Sequence, residues 1–363
     1  MAYAQRKSLI NKIEEIRGSK VITYVITDKF RSVMIDHEDL RYFYEVLNKG
    51  SEKLEHIDLF IYSLGGVSTV AWALINLIRS FTKKFSILVP YNAFSCATSI
   101  SIGADEIVMG KNAYLGPVDP SVTNIFNPII NNNLAPISVE DIAGFQSLIT
   151  EKFKISDNEK IGEIFKVLAT DIRPLALGNA YRHYLKARDD TKKILKIHYK
   201  GKFDGKKIKK ISETLIEKLY YHGHHITREE AKNLGLKVSF AENFKKTGGA
   251  DLNSLMWQLY EDYEKELELR ETFQIALPST GNSNEINIKF IETADISQKK
   301  IIEQTFKKLA YPKGSRITIN NNMLTVVYPT PGGLNAESPF FEGVLKNLND
   351  EIYEITEKQL WKS

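Results

Sequence analysis

Between Ile57 and Pro120 the sequence alternates between short strand patterns and helical patterns. An apolar run ends at Gly65-Gly66, and a wide apolar stripe at helical spacing follows at once. The predicted elements are a strand at Ile57–Ser63, a helix over residues 67–78, a strand at Phe85–Val89, a buried helix at Cys96–Ala104 and a strand at Ile107–Met109. This order predicts an α/β fold, in which a parallel sheet with right-handed crossovers carries flanking helices.

Two junctions in this stretch suggest chemistry, because each lies where a predicted strand leads into a helix. Gly65-Gly66 allows the backbone to turn sharply and to direct its N–H groups outward, where they can hold an oxyanion. Ser95 stands at the second junction, so its hydroxyl is expected at the same end of the sheet. The alternative is that the glycine pair is only a turn and Ser95 only a helix N-cap.

A set of short motifs extends this pattern along roughly residues 19–240. The motifs are Ser63-Leu64-Gly65-Gly66, Ser95-Cys96-Ala97-Thr98, Ala104-Asp105-Glu106-Ile107, Leu115-Gly116-Pro117-Val118-Asp119-Pro120, Pro174-Leu175-Ala176-Leu177-Gly178 and Ile226–Leu236. In this order the set resembles the SppA-like serine peptidases of the serine dehydrogenase proteinase (SDH proteinase) family, within the ClpP/crotonase superfamily. Leu64 departs from the proline that the family usually has there, which loosens the turn but leaves its amides available.

The resemblance implies a ClpP/crotonase-like parallel sheet and a serine endopeptidase that cleaves peptides in extended form. It makes Ser95 the nucleophile, and it makes the backbone amides of Gly65, Gly66 and Cys96 the oxyanion donors. The Cys96 thiol is a second conceivable nucleophile, although a buried free cysteine usually serves packing alone.

The general base is less well specified than the nucleophile. ClpP-type enzymes carry a histidine in the region that here is Gly116–Pro120, and that region has none. SppA-type enzymes use a lysine further downstream, which points to Lys152. Such a lysine must be desolvated so that its pKa falls toward neutrality. His183 and Arg182 are rivals by position, although arginine stays protonated.

Two other functions remain open at this point. The chain can be a catalytically inactive ClpP-fold protein that acts in assembly or partner binding, since no base is obvious. Crotonase-type acyl-CoA chemistry shares the oxyanion geometry but makes no use of Ser95.

No cofactor is predicted, because no GxGxxG motif follows a strand and a nicotinamide site is therefore unsupported. The histidines of Tyr220–His225 lack a nearby carboxylate or cysteine partner, which argues against a metal site. Lys192–Lys210 is dense in lysine but has no recognition motif or aromatic platform, so a solvated face is favoured and nucleic acid is an unlikely partner.

The chain has 363 residues, a net charge of +4 and one cysteine. A single cysteine excludes an intrachain disulfide and suits a reducing compartment. No apolar run is long enough to cross a membrane, and the N-terminus lacks the continuous apolar core of a secretory signal. We therefore expect a cytoplasmic protein with no membrane span, acting on a peptide or protein substrate.

Residues 1–244 are predicted to form the ClpP/crotonase-like peptidase domain, and residues 250–363 a small α+β accessory module after a linker at Lys245–Gly249. The elements predicted in the module are a strand at Glu285–Glu292, a helix at Ser297–Leu309, a hairpin of Ser315–Asn320 with Met323–Tyr328, and a helix at Phe340–Trp361.

A homo-oligomer is also predicted, most simply a dimer and otherwise a trimer-based ring. Relatives in the superfamily form rings or stacks, and a Ser-Lys site needs a dry environment that one α/β layer supplies poorly. The Leu9–Ile16 face and the terminal helix with Phe340, Phe341 and Trp361 offer apolar surface for such contacts.

Overall fold

The computed structural model divides the chain into two compact units. The first comprises Met1–Tyr263 with Ile291–Ile296, and the second comprises Glu264–Phe290 with Ser297–Ser363. The division into a peptidase domain and an accessory module stays a prediction. The described residues are 3–28, 33–49, 53–119, 121–130, 133–199, 205–219, 221, 223–246, 249–270, 284–308, 316–320, 323–327, 344–348 and 351–362.

The described residues form helices of very different lengths. The α-helices are α1 (Tyr3–Arg17), α2 (Asp39–Leu47), α3 (Ser68–Phe81), α4 (Cys96–Ser101), α5 (Val139–Ser147), α6 (Asn158–Asp171), α7 (Pro174–His198), α8 (Gly205–Glu217), α9 (Arg228–Leu234) and α10 (Leu252–Glu266). A π-helical turn covers Leu148–Lys152, and a 3₁₀ turn covers Ala241–Asn243. None of these helices combines the length and the apolarity needed to cross a bilayer.

The strands fall into a group that precedes α10 and a group that follows it. The first group is β1 (Lys20–Ile26), β2 (Leu54–Tyr62), β3 (Thr82–Val89), β4 (Asn92–Ala93), β5 (Glu106–Met109), β6 (Tyr114–Leu115), β7 (Ser121–Val122), β8 (Ile129–Ile130), β9 (Asn133–Leu134), β10 (Ile137–Ser138), β11 (Ile226–Thr227) and β12 (Val238–Phe240). The second group is β13 (Asn284–Glu292), β14 (Ser297–Lys308), β15 (Arg316–Asn320), β16 (Met323–Val327), β17 (Val344–Leu348) and β18 (Glu351–Lys362).

The first unit is built on a parallel sheet in the order β12-β5-β3-β2-β1. Ile57–Tyr62 of β2 is buried without alternation, as expected for a parallel strand covered on both faces. The apolar stripe of α3 is buried through Val70, Ala71, Leu74, Ile75 and Ile78. The α/β fold with a parallel sheet and flanking helices is therefore confirmed.

A smaller sheet has the strand order β4-β6-β11. Its strand β4 leads into the Ser95 junction that the sequence singled out. Its strands pair in a register that places Ala93, Leu115 and Ile226 at the same level. Because Ser95 lies two residues after β4, this sheet determines which residues surround Ser95.

Two helices of the first unit differ from their predicted form. The sequence pattern of Ile35–Leu47 predicts a helix, but the helix begins only at Asp39, because Ile35 forms a parallel bridge with Gly66. The Leu9–Ile16 face of α1 is largely buried within its own unit through Leu9, Ile10 and Ile13. That face is therefore not spare surface for contacts between subunits.

The second unit contains more strand than predicted. The strand at Glu285–Glu292 and the β15–β16 hairpin are confirmed. The helix predicted at Ser297–Leu309 is wrong, since Ser297–Lys308 is β14 and pairs antiparallel with β18 over ten residue pairs. The helix predicted at Phe340–Trp361 is also wrong, because its described part forms β17 and β18. Long-range strand pairing has overridden local helical spacing here.

Candidate functional site

Ser95 occupies a strained backbone position between β4 and α4. Its φ is 51° and its ψ is −112°, a conformation that residues with a Cβ rarely adopt. The turn is held from both sides, because Phe94 N–H donates to Ser63 O at 3.0 Å and Ala97 N–H donates to Phe94 O at 2.9 Å. The Ser95 side chain makes no capping bond to α4, so the N-cap interpretation does not explain this residue. Strain of this kind concentrates at functional sites.

Gly65 brings the end of β2 against Ser95. A Cβ at Gly65 would lie 2.8 Å from Ser95 Cβ and 3.2 Å from Ser95 Oγ, and the Gly65 φ is +122°. Both facts require glycine, since no side chain fits the space and few adopt the dihedral. The structure therefore brings together the two junctions that the sequence singled out.

Gly66 is required for a different neighbour. A Cβ there would lie 2.2 Å from Ile35 O, and its φ is +154°. Ile35 therefore packs directly on the backbone of the turn, so the position of Gly66 is fixed by residues far from Ser95 in sequence.

The three predicted oxyanion amides are not equivalent. Gly65 N–H donates to Ser63 Oγ at 3.0 Å, so this donor is already engaged. The amides of Gly66 and Cys96 make no hydrogen bond with the residues that the structure describes. The arrangement thus leaves two backbone donors, one on each side of the Ser95 turn.

Lys152 lies at the end of the π-helical turn and its side chain is exposed. Within one chain it therefore lacks the desolvation that a lysine base requires. His183 and Arg182 are exposed on α7. The described residues supply no hydrogen-bond partner for Ser95 Oγ, and the base stays a prediction.

Residues 1–168 match the sequence family of ClpP-like SDH-type serine proteinases. This part of the chain is similar to that family. The matched region contains Ser63–Gly66, Ser95 and Lys152 and ends within α6. The recognition made from the motifs is therefore confirmed.

Two archaeal proteins are similar to the chain over longer stretches. The uncharacterized protein MJ0137 of Methanocaldococcus jannaschii is 27% identical over 244 residues, which cover 64% of this chain and 73% of that protein. The uncharacterized protein MJ1495 of the same organism is 22% identical over 293 residues, which cover 78% of this chain and 86% of that protein. Neither name states an activity.

The Cys96 thiol lies next to the Ser95 hydroxyl in sequence and was the second candidate nucleophile. Cys96 is buried, and its Sγ donates to Val67 O at 3.3 Å. Burial raises the pKa of this thiol from 9.0 to about 12. A protonated, buried thiol is a poor nucleophile, so Cys96 contributes its amide and its packing.

The motifs that follow Ser95 contain two acids, Asp105 and Asp119, which are candidates to orient a base. The Asp105 carboxylate accepts from the Phe85 amide at 3.0 Å and from Arg79 at 3.2 Å, which fixes the entry to β5. Asp119 is buried and faces Glu140. Burial and the Asp119 carboxylate raise the pKa of Glu140 to about 7. Only the structure brings Glu140 beside Asp119.

His225 is a neighbour of the Ser95 turn that sequence reasoning weighed only as a metal ligand. Its ring meets the Phe94 ring edge-on with centroids 5.0 Å apart, and it meets the Tyr114 ring at 5.2 Å. Its Nδ1 lies 2.9 Å from Gly223 O and donates a hydrogen bond to that carbonyl. The β6–β11 pairing creates this neighbourhood, and a two-residue strand gives too weak a pattern to predict it.

No group of three or more His, Cys, Asp or Glu side chains within the described ranges is placed to hold a metal ion. His224, at the centre of the histidine-rich stretch, instead pairs with Glu230 at 3.0 Å. Tyr220 and His222 lie outside the described residues.

Proposed function

We propose that the chain is a serine endopeptidase that cleaves peptides through an acyl-enzyme on Ser95. The observation that carries the proposal is the strained Ser95 turn packed against Gly65, with the unengaged amides of Gly66 and Cys96 beside it. The match of residues 1–168 to a serine proteinase family supports the same reaction class. Peptides or proteins are the proposed substrates.

In the proposed reaction Ser95 Oγ attacks the carbonyl carbon of the scissile peptide bond. The carbonyl oxygen becomes an oxyanion and accepts hydrogen bonds from the Gly66 and Cys96 amides. Gly65 serves by its missing side chain, which leaves room for Ser95 against the turn. The serine proton passes to a base and then to the leaving amine, and water releases the acyl group by the reverse route.

Lys152 is the proposed base, and it must be shielded from water to act as one. We propose that a second copy of the chain supplies this shielding, so that the protein acts as a homo-oligomer. Exposed apolar side chains cluster in the sequence around Lys152, and α6 has no buried residue at all. The exposed side chains include Ile125, Ile129, Phe153, Phe165, Val167 and Leu175.

The cytoplasmic location rests on the sequence alone and is part of this proposal. The competing function is that of an inactive ClpP-fold protein that binds partners. It is favoured by the exposure of Lys152 and by the fact that no described residue hydrogen-bonds to the Ser95 hydroxyl. Activity measurements separate the two.

The test is hydrolysis of a quenched fluorescent peptide library by the wild-type chain, by Ser95→Ala and by Ser80→Ala. Ser80 is exposed on α3 and bonds only to Leu77 O, so it is a matched control. We expect Ser80→Ala to cleave like the wild type and Ser95→Ala to lose all but a residual rate. Equal cleavage by Ser95→Ala, or no cleavage by the wild type, contradicts the proposal.

A further inference from the structure

The segment between β1 and α2 holds the glycine turn from the side away from Ser95. Ile35 N–H donates to Gly65 O at 3.0 Å, and Val67 N–H donates to Ile35 O at 2.9 Å. Together these bonds form the parallel bridge between Ile35 and Gly66. One residue thus binds the turn on both sides of Gly66.

This bridge fixes the direction of the Gly66 amide. A trans peptide directs its N–H opposite to its C=O, and the Gly65 carbonyl points at Ile35. The Gly66 N–H therefore points away from Ile35. On its other side, the segment that contains the glycine turn pairs through Ser63 with Ala93. Ser95 lies two residues after Ala93, on that same side. The Ile35 bridge aims the amide toward the side where the nucleophile stands.

The turn needs such an external support. Two adjacent glycines have more backbone freedom than any other pair, and a loose donor stabilises an oxyanion poorly. Leu64 precedes the glycines and is exposed, so the turn also lacks the rigidity that a proline would give.

The Ile35 segment is itself anchored by Asp39. Asp39 is fully buried at the start of α2 and accepts hydrogen bonds from Tyr24 Oη and, at 2.9 Å, from the Asp36 amide. Tyr24 is fully buried on β1, with its ring edge-on to Phe43 at 4.9 Å. The carboxylate therefore ties the loop that carries Ile35 to the central sheet.

The Tyr24 hydroxyl is a dependable donor in this arrangement. Burial and the neighbouring Asp39 carboxylate raise the pKa of Tyr24 well above its usual value. The hydroxyl thus stays protonated near neutral pH and can donate to Asp39.

We propose that Asp39, held by Tyr24, is a positioning residue for the oxyanion site, because it fixes the Ile35 bridge that aims the Gly66 amide. The inference rests on the proposed peptidase function for its catalytic consequence. Its structural part, that Asp39 and Tyr24 hold the glycine turn, stands independently of that function.

The structural part is tested by hydrogen–deuterium exchange on the peptide that contains Val67. In the wild type its amide is protected by Ile35 O. In Tyr24→Phe the carboxylate loses a donor, the loop loosens, and we expect exchange of this amide to rise roughly tenfold or more. Unchanged exchange at Val67 overturns the proposal whether or not the chain is a peptidase.

Tyr263→Phe is the matched control. Tyr263 is also fully buried, and its hydroxyl also bonds to a carboxylate, that of Glu292, at 2.5 Å. It contacts Thr23, whose side chain faces the opposite side of β1 from that of Tyr24. This variant loses a comparable hydrogen bond, and we expect no change in exchange at Val67.

The catalytic part is tested by steady-state kinetics on the same variants. We expect Tyr24→Phe to lower kcat by roughly tenfold to a hundredfold with KM little changed, because the amide acts in the transition state. Tyr263→Phe should stay within about twofold of the wild type. Equal kcat losses in both variants mean general destabilisation and overturn the positioning role.

Asp39→Asn covers the case in which Tyr24→Phe fails to fold. Its amide oxygen still accepts from one partner, so we expect a smaller rise in exchange and a smaller loss of kcat in the same direction. Wild-type behaviour in Asp39→Asn overturns the proposal. A wild type that cleaves no peptide refutes the proposed function, and the exchange measurement still decides whether the anchor exists.

Discussion

Two regions of the first unit differ sharply in how they are held. The nucleophile region, residues 63–67 and 92–98, is fixed by backbone hydrogen bonds to β4 and to Ile35, and glycine is obligatory at two of its positions. The Lys152 region, residues 121–185, leaves many of its large apolar side chains exposed. No residue of its helix α6 is fully buried.

The difference indicates which parts of the proposed site one chain can complete. A nucleophile and an oxyanion site that depend on backbone geometry are formed by the chain itself. A lysine base depends on desolvation, and the region that carries Lys152 is the one whose surface is uncovered. We therefore expect mutations in the nucleophile region to act within one chain, and those in the Lys152 region to act through assembly.

The largest effect is expected for Gly66→Ala, in comparison with Gly162→Ala. The first places a Cβ 2.2 Å from Ile35 O at a φ of +154°, whereas Gly162 on α6 has open space around it. Gly66→Ala should abolish peptide hydrolysis and destabilise the fold, and Gly162→Ala should gain about 0.5–1 kcal/mol of helix stability. Peptide assays and urea unfolding measure both. Retained activity in Gly66→Ala would break the contrast between the regions.

Lys152→Ala is expected to lower kcat by roughly 10²–10⁴-fold, as for the loss of a general base, without changing the unfolding free energy. Lys160→Ala, an exposed lysine on α6, is the control and should be silent. His225→Gln is assayed in parallel, because its ring lies beside Phe94. If His225→Gln is inactive and Lys152→Ala active, the base is His225 and not Lys152.

A pH effect on stability is expected from His198, the last residue of α7. His198 Nδ1–H donates to Ala104 O at 2.5 Å, and Nε2 accepts from Lys237 N–H at 3.1 Å, so the buried ring is neutral. Burial lowers its pKa from 6.5 to about 4. As the pH falls below 6.5, His198 takes up a proton in the unfolded chain while it stays neutral in the folded chain. The free energy of unfolding therefore falls between pH 6.5 and pH 4, by about 3 kcal/mol in total.

Urea unfolding of the wild type, His198→Gln and His183→Gln at a series of pH values measures this loss. His198→Gln should lose less stability than the wild type between pH 6.5 and pH 4. His183→Gln should follow the wild type, because His183 is exposed in the Lys152 region. Parallel curves for all three proteins would contradict the role given to His198.

The smallest effect on the folded chain is expected for Phe165→Glu. Phe165 is half-exposed on α6, so the substitution should change the unfolding free energy of the monomer by no more than about 0.5 kcal/mol. It should nevertheless dissociate the proposed oligomer, which light scattering detects, and peptide hydrolysis should fall with it. A wild type that is already a monomer, or a variant that assembles unchanged, would refute assembly through this surface.

The parallel sheet of the first unit was predictable because its pattern is local. Val70, Leu74 and Ile78 repeat at helical spacing between two continuous apolar runs, and that pattern fits few other folds. In the second unit Ile301, Ile302 and Phe306 also fall at helical spacing, yet β14 pairs with a strand about fifty residues away. Single-sequence reasoning cannot weigh such a distant partner.

In the candidate site, too, the features set by local sequence were predictable and those set by distant pairing were not. Ser95 and the glycine turn were predictable because each lies at a strand-to-helix junction, and the local sequence pattern is enough to locate such a junction. The engagement of the Gly65 amide by Ser63, the Ile35 bridge and the His225 contact depend on pairings between distant or very short segments. No local pattern specifies them.

The central claim, that Ser95 is an activated nucleophile, is tested most directly by mapping a fluorophosphonate adduct with mass spectrometry. The account predicts one phosphonylated residue per chain, located on Ser95, and no adduct in Ser95→Ala. Labelling of the Ser80→Ala control should equal that of the wild type. An unlabelled wild type, or an adduct on a serine other than Ser95, would contradict the account.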